Sequence, residues 1–217
     1  MTITAVFWDF GGVLTTSPFE NFRRYEEQQG LPRDFLRTIN ATNPDTNAWA
    51  RFERSELDLD AFDAAFAEES AAAGHRVPGS DVIRLLSGQL RPEMVAALRT
   101  IRDHYRIACI TNNVRAGEGP SMQPDAERAR EVDAVMAEFE RVVESSQLGL
   151  RKPDPRIYQH ACELMAVAPA EVVYLDDLGI NLKPARQLGM TTIKVSDPRA
   201  ALDELEQVLD LPLPKGA

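Results

Sequence analysis

Short apolar runs punctuate a chain whose other hydrophobic positions recur at helical spacing. The runs are Ile3 to Phe7, Ile107 to Ile110, Arg141 to Val143, Val172 to Leu175 and Thr191 to Val195. Runs of this kind predict strands buried on both faces, as parallel sheets require. Helical patterns separate the last four. Met94 to Arg102 places Val95, Leu98 and Ile101 on one face, and Pro124 to Glu138 is acidic and alanine-rich. Pro155 to Val167 carries Ile157, Ala161, Leu164 and Met165, and Asn181 to Leu188 ends at Gly189, a good helix stop. Strands alternating with helices predict right-handed crossovers, hence an α/β fold with a doubly wound parallel sheet.

The first strand breaks this rhythm. Between Thr15 and about Gln89 only helical patterns occur, such as Leu59, Phe62, Phe66 and Ala73. Six of the nine phenylalanines lie between Phe19 and Phe66, with Trp49 among them. They suit either the core of a small helical domain or a ligand groove. An insertion just after the first strand would stand above the carboxyl edge of the sheet and act as a lid. The proline-rich tail, Leu211 to Ala217, is expected to fray.

Composition narrows the classes. The 217 residues are 44% hydrophobic, enough for a sizeable core, and the net charge of −10 disfavours nucleic acid and anionic membrane surfaces as partners. The sequence has neither a leader pattern nor an apolar stretch of the ~18 residues needed to cross a bilayer. The two cysteines, Cys109 and Cys162, read as packed thiols in a reducing compartment, with the cytoplasm as default.

The candidate chemistry sits at the strand ends. VFWDFGGVL, Val6 to Leu14, delivers Asp9 into a glycine-rich turn. Alone it reads as an Asx-turn former; with the right companions it is a nucleophile able to attack phosphorus. Thr111 and Asn112 follow the second strand, where a hydroxyl and backbone N–H groups can hold phosphate oxygens. Lys152, fixed ahead of Pro153, can neutralise both the carboxylate and the phosphate, although an isolated loop lysine is usually a surface charge. Asp176 and Asp177 end the fourth strand, an expensive place for adjacent carboxylates unless a cation intervenes, and hard oxygen ligands suit Mg²⁺. Helix capping by Asp177 would leave Asp176 unexplained.

These four motifs, in this order, resemble the haloacid dehalogenase superfamily of hydrolases. Within it, LDDLGINLKPARQLGM, GLRKPDPRIY and ALDELEQVL are similar to the amino-terminal phosphatase domain of soluble epoxide hydrolase and its bacterial relatives, so the resemblance covers essentially the whole chain. It implies a Rossmann-like core of residues 1–15 and 90–217 with a helical cap of residues 16–89. By position, Asp9 matches the nucleophile, which also binds metal, and Gly11 lends a backbone carbonyl to Mg²⁺. Thr111 and Asn112 match the phosphate-binding motif and Lys152 the lysine of the third motif. Asp177 matches the direct metal ligand, with Asp176 and Asn181 in support. The implied substrate is a small phosphomonoester; the resemblance leaves its identity and the oligomeric state open.

One departure matters. Most phosphatases of this family carry a second aspartate at the position of Gly11, to protonate the leaving oxygen. General acid catalysis contributes about 10²–10⁴-fold, so its absence is costly but not fatal. Two other readings follow: a metal-independent dehalogenase, whose halide leaves without a proton, and a protein that binds phosphorylated ligands without turning them over. The acidic pair argues against the first, because it would repel an anionic haloacid; Gly11 keeps the second open.

Overall fold

The apolar run behind Thr4 becomes β1 (Ala5–Trp8), with all four side chains buried. The computed structural model describes residues 2–113 and 126–214. After β1 come α1 (Pro18–Gln29), α2 (Phe35–Ala41), α3 (Ala48–Glu53), α4 (Leu59–Ala72) and α5 (Gly79–Arg84). Then follow α6 (Pro92–Arg102), β2 (Arg106–Thr111), α7 (Ala126–Met136), β3 (Arg141–Glu144), the single turn α8 (Ser145–Leu148) and α9 (Pro155–Met165). The chain closes with β4 (Val172–Asp176), α10 (Gly179–Gln187), β5 (Thr191–Lys194) and α11 (Pro198–Leu209).

The described strands form one parallel sheet in the order β3-β2-β1-β4-β5. From β1 the chain winds outward to β3, then crosses back to build the other half. That reversal opens a crevice at the carboxyl ends of β1 and β4, where sheets of this topology hold ligands. In register, Trp8 lies beside Cys109 on one side and Leu175 on the other, so Asp9, Thr111 and Asp176 emerge along one edge.

Period-two alternation divides the core. Val6, Trp8, Ile107, Cys109, Val173 and Leu175 pack with residues of α6 and α11, such as Leu98 and Leu205. Ala5, Phe7, Ala108, Ile110, Val172 and Tyr174 pack with residues of α9 and α10, such as Ile157 and Leu182. A third apolar cluster lies wholly within α1 to α5 and their loops, from Phe22 to Ile83, and holds Phe35, Phe52, Phe62 and Phe66. The chain leaves and re-enters the sheet side by side: Thr15 pairs with Leu90, flanked by Thr16 N–H to Gln89 O and Arg91 N–H to Leu14 O, both 2.8 Å.

Several expectations need adjusting. Leu59 and Ala73 are exposed, because they stand at the two ends of α4, whose buried face carries Phe62, Phe66, Ala67 and Ser70. Leu164 is also exposed, since Ile157, Ala161 and Met165 already define the buried face of α9 and Leu164 lies one residue round the helix from it. The tail does not fray at Leu213, which is buried against the α6–α11 cluster. Pro124 and Asp125 of the expected acidic helix, and residues 215–217, lie outside the described residues. Cys109 and Cys162 are buried free thiols. Among the described residues no helix is long and apolar enough to cross a membrane.

Candidate active site

Asp9 continues β1 by one residue, donating its N–H to Leu175 O at 2.8 Å. The chain then turns back, and Phe10 O accepts from both Leu14 N–H and Thr15 N–H. Gly12, rather than Gly11, takes the left-handed conformation in this turn, with φ of 77°. Asp9 is 7% exposed, and its Oδ1 accepts from Phe10 N–H and from Lys152 Nζ, each at 2.7 Å.

Lys152 is no surface charge, being 1% exposed with its ammonium between Asp9 and Asp176 Oδ2, the latter at 2.9 Å. Asn112 fixes its main chain on both sides: Oδ1 accepts from Lys152 N–H at 2.8 Å and Nδ2 donates to Lys152 O at 3.0 Å. The Asn112 side-chain amide is thus engaged with the lysine, which leaves its backbone N–H as the group it can offer an anion. Thr111, buried at the end of β2, faces the same cavity as Asp9.

The two acids after β4 divide their work. Asp176 is fully buried and saturated: Oδ1 accepts from Leu178 N–H at 2.8 Å and Asn181 Nδ2 at 3.0 Å, while Oδ2 accepts from Lys152 and the Tyr174 hydroxyl. Tyr174 and Asp176 share one face of β4 through the two-residue repeat. Asp177 is half-buried, and the start of α10 carries no side-chain cap, which removes helix capping as its purpose. Carboxylate oxygens of Asp9, Asp176 and Asp177 lie within 4.8 Å of one another. The Gly11 carbonyl receives no hydrogen bond among the described residues.

Three carboxylates thus face one ammonium. Burial lifts the Asp9 carboxyl well above the usual carboxylate range against the pull of Lys152, and Asp176 and Asp177 add to the rise. Burial, then Asp176, pushes Asp177 up to about 6. Burial opposes the Lys152 charge too, but Asp176 and Asp9 outweigh it and raise the ammonium above its ordinary value. Such a cluster is relieved by a hard cation, and the donor set fits one: Asp177, Asp9 and the Gly11 carbonyl keep oxygens to offer, whereas Asp176 has none to spare.

Above this edge lies a cavity of about 620 Å³, whose walls include Phe19, Phe22 and Trp49 from the inserted helices. Glu53, the last residue of α3, also lines it, 5% exposed and paired with Arg151. Arg151 donates besides to Pro44 O at 2.9 Å, so the residue preceding Lys152 is tied to two points of the insertion.

A model of the haloacid dehalogenase-like hydrolases matches residues 3–189, a span that holds Asp9, Thr111, Lys152, Asp176 and Asp177. The chain belongs to this family of hydrolases. It is 35% identical to mouse acyl-CoA dehydrogenase family member 10, over 98% of this chain and 20% of that protein. It is 30% identical to mouse bifunctional epoxide hydrolase 2, over 99% of this chain and 40% of that protein. The chain therefore spans a minor part of these two longer relatives. The sesquiterpene phosphatase astK of Aspergillus oryzae is matched almost end to end, 27% identical over 96% of this chain and 97% of that one. Among solved structures, a haloacid dehalogenase-like hydrolase from Porphyromonas gingivalis superposes with a TM-score of 0.66 at 20% identity, over 94% of this chain and 98% of that one. That likeness carries the fold alone.

The fold gathers Asp9, Thr111, Asn112, Lys152, Asp176, Asp177 and Asn181, the residues singled out by the motifs, at one edge of the sheet. Sequence reasoning passed over Glu53, Arg151 and Tyr174. Tyr174 was open to it, since VVYLDD puts the phenol two residues before Asp176. Glu53 was not, because a glutamate between two arginines in ARFERSE reads as solvated helix surface.

Proposed function

We propose that this hydrolase is a Mg²⁺-dependent phosphomonoesterase that uses Asp9 as nucleophile. The observation that carries the reading is the half-buried Asp177 carboxylate held within reach of Asp9, beside an Asp176 whose oxygens are already taken. A haloacid carries its own carboxylate and would be repelled there, whereas a phosphate arriving with a divalent cation is matched. The relationship to a protein named as a sesquiterpene phosphatase agrees with this reading and favours a phosphorylated substrate with an apolar body, for which the aromatic cavity wall is suited.

Asp9, the Gly11 carbonyl and Asp177 would hold Mg²⁺, which when bound neutralises phosphate charge and polarises phosphorus for attack. Lys152 orients the nucleophile and favours its ionised form against the effect of burial, and Asp176 holds Lys152 in place from behind. Thr111 and the Asn112 N–H address the transferring phosphoryl oxygens. An Asp9 carboxylate oxygen attacks phosphorus, and water then hydrolyses the aspartyl phosphate. In this reading residues 16–89 form the cap over a catalytic unit of residues 1–15 and 90–217. The partner is a small phosphorylated molecule, and the compartment is a reducing one such as the cytoplasm.

Release of inorganic phosphate from an aryl phosphate, with Mg²⁺ and with chelator, tests the proposal on the wild type and on Asp9→Asn. Metal-dependent release lost in the variant is the expected result. Tight phosphate binding without release would favour the non-catalytic reading that Gly11 permits.

A further inference from the structure

Gly11 supplies no proton to a departing oxygen, and the enzyme reading leaves that part to be filled. Among the described residues, the carboxyl groups lining the cavity are Asp9, Asp45, Glu53 and Asp177. Asp9 is the nucleophile and Asp177 the metal ligand, while Asp45 is exposed. Glu53 is buried, it comes from the inserted helices, and its Oε2 lies 3.5 Å from Asn112 Nδ2. That nitrogen donates to Lys152 O, and the Lys152 ammonium sits on Asp9, so two residues separate Glu53 from the nucleophile.

Resting on the phosphatase reading, we propose that Glu53 is the proton donor to the leaving oxygen. In the first step an Asp9 oxygen bonds to phosphorus, and the bond from phosphorus to the ester oxygen breaks. Its electron pair goes to that oxygen, which takes the Glu53 proton and leaves as the alcohol. The carboxylate so formed lies beside Arg151, whose guanidinium stabilises the new charge. In the second step water attacks phosphorus, the bond to Asp9 breaks, and Glu53 takes the proton of the water. Burial raises the Glu53 carboxyl above the usual range, against the charge of Arg151 and the hydrogen bonds it accepts from Arg151 and Trp49.

A plain structural role is the competing account, since the Glu53–Arg151 pair also ties the insertion to the Lys152 loop. The two separate in a leaving-group series. Aryl and alkyl phosphates are assayed with Mg²⁺ on the whole chain as wild type, Glu53→Gln, and Glu53→Gln with Gly11→Asp, each checked by thermal melt. The wild type should depend weakly on the basicity of the leaving alcohol. Glu53→Gln should lose about 10²–10⁴-fold on alkyl phosphates and about tenfold or less on nitrophenyl phosphate. Gly11→Asp should restore the alkyl substrates, because a Cβ at Gly11 meets nothing within 4 Å and its φ is not left-handed. If the amide variant melts early, Glu53→Asp, which keeps an acid of shorter reach, should show a milder loss of the same selectivity. An equal loss on all substrates would reduce Glu53 to a tie, and a steep dependence in the wild type would mean that no acid operates; either overturns the proposal. A wild type that hydrolyses no member of the series overturns the phosphatase reading itself.

Discussion

A Cβ on Gly12 would collide with the carboxylate of Asp177, so the acid that faces Asp9 occupies the space the glycine leaves. Gly12 also holds a left-handed φ of 77°, which side chains rarely adopt. Gly12→Ala should therefore cost about 1–3 kcal/mol of stability and displace Asp177. Gly11→Ala, with open space and an ordinary backbone, should cost far less. Thermal melts with and without Mg²⁺ check this, and equal behaviour of the two variants would refute it.

Asp176 and Asp177 should fail in different ways. Asp176 accepts from Lys152, Tyr174, Asn181 and the Leu178 N–H, so Asp176→Asn turns acceptors into a donor among buried donors. A loss of about 3–5 kcal/mol in chemical denaturation is expected. Asp177→Asn should leave the metal-free protein at least as stable as wild type, because it removes a repelled carboxylate, yet abolish stabilisation by Mg²⁺. Matching denaturation curves for the two variants would sink this division of labour.

Asp9→Asn should reduce turnover to background while the thermal midpoint of the metal-free protein holds. An amide keeps the shape, and Lys152 retains Asp176 as its partner. Beryllium fluoride should raise the melting temperature of the wild type and leave that of the variant unmoved. Residual turnover at the wild-type rate would exclude a covalent step on this residue.

Proton and metal should compete at Asp177. Its carboxyl is pushed up to about 6 from an ordinary 3.8 by burial and Asp176, so the folded chain holds that proton more tightly than the unfolded one. The stability this proton contributes is full below pH about 3.8 and is lost as pH rises through about 6; Asp9, also raised, acts in the same sense. Mg²⁺ binding runs the other way, with apparent affinity climbing as pH rises towards and through about 6. Melting temperatures recorded against pH in chelator and in Mg²⁺ should nearly coincide below this range and part above it. Parallel curves would contradict the assignment.

The strands and the acids at their ends were legible because apolar runs and a carboxylate at each edge are local signals. Burial of Lys152 was not, since only the folded edge brings Asp9 and Asp176 to either side of one ammonium. The pairing of the Asn112 side chain with the Lys152 main chain was hidden as well, because the two residues lie far apart along the chain. Glu53 escaped for a related reason: whether a charged helix end is wet or buried depends on where the helix docks. Leu59 and Leu164 lie in the helices their spacing predicts, yet just outside the packed face.

The stem at Thr15 and Leu90 has a consequence for how such enzymes diversify. A segment that leaves and rejoins the sheet at neighbouring positions, and that keeps its own apolar cluster, is a graft. It can be lengthened, shortened or replaced while the ends of β1, β2 and β4 stay where they are. One reactive edge can in this way be roofed differently for different substrates, and where the edge itself lacks a functional group, the roof is free to supply it.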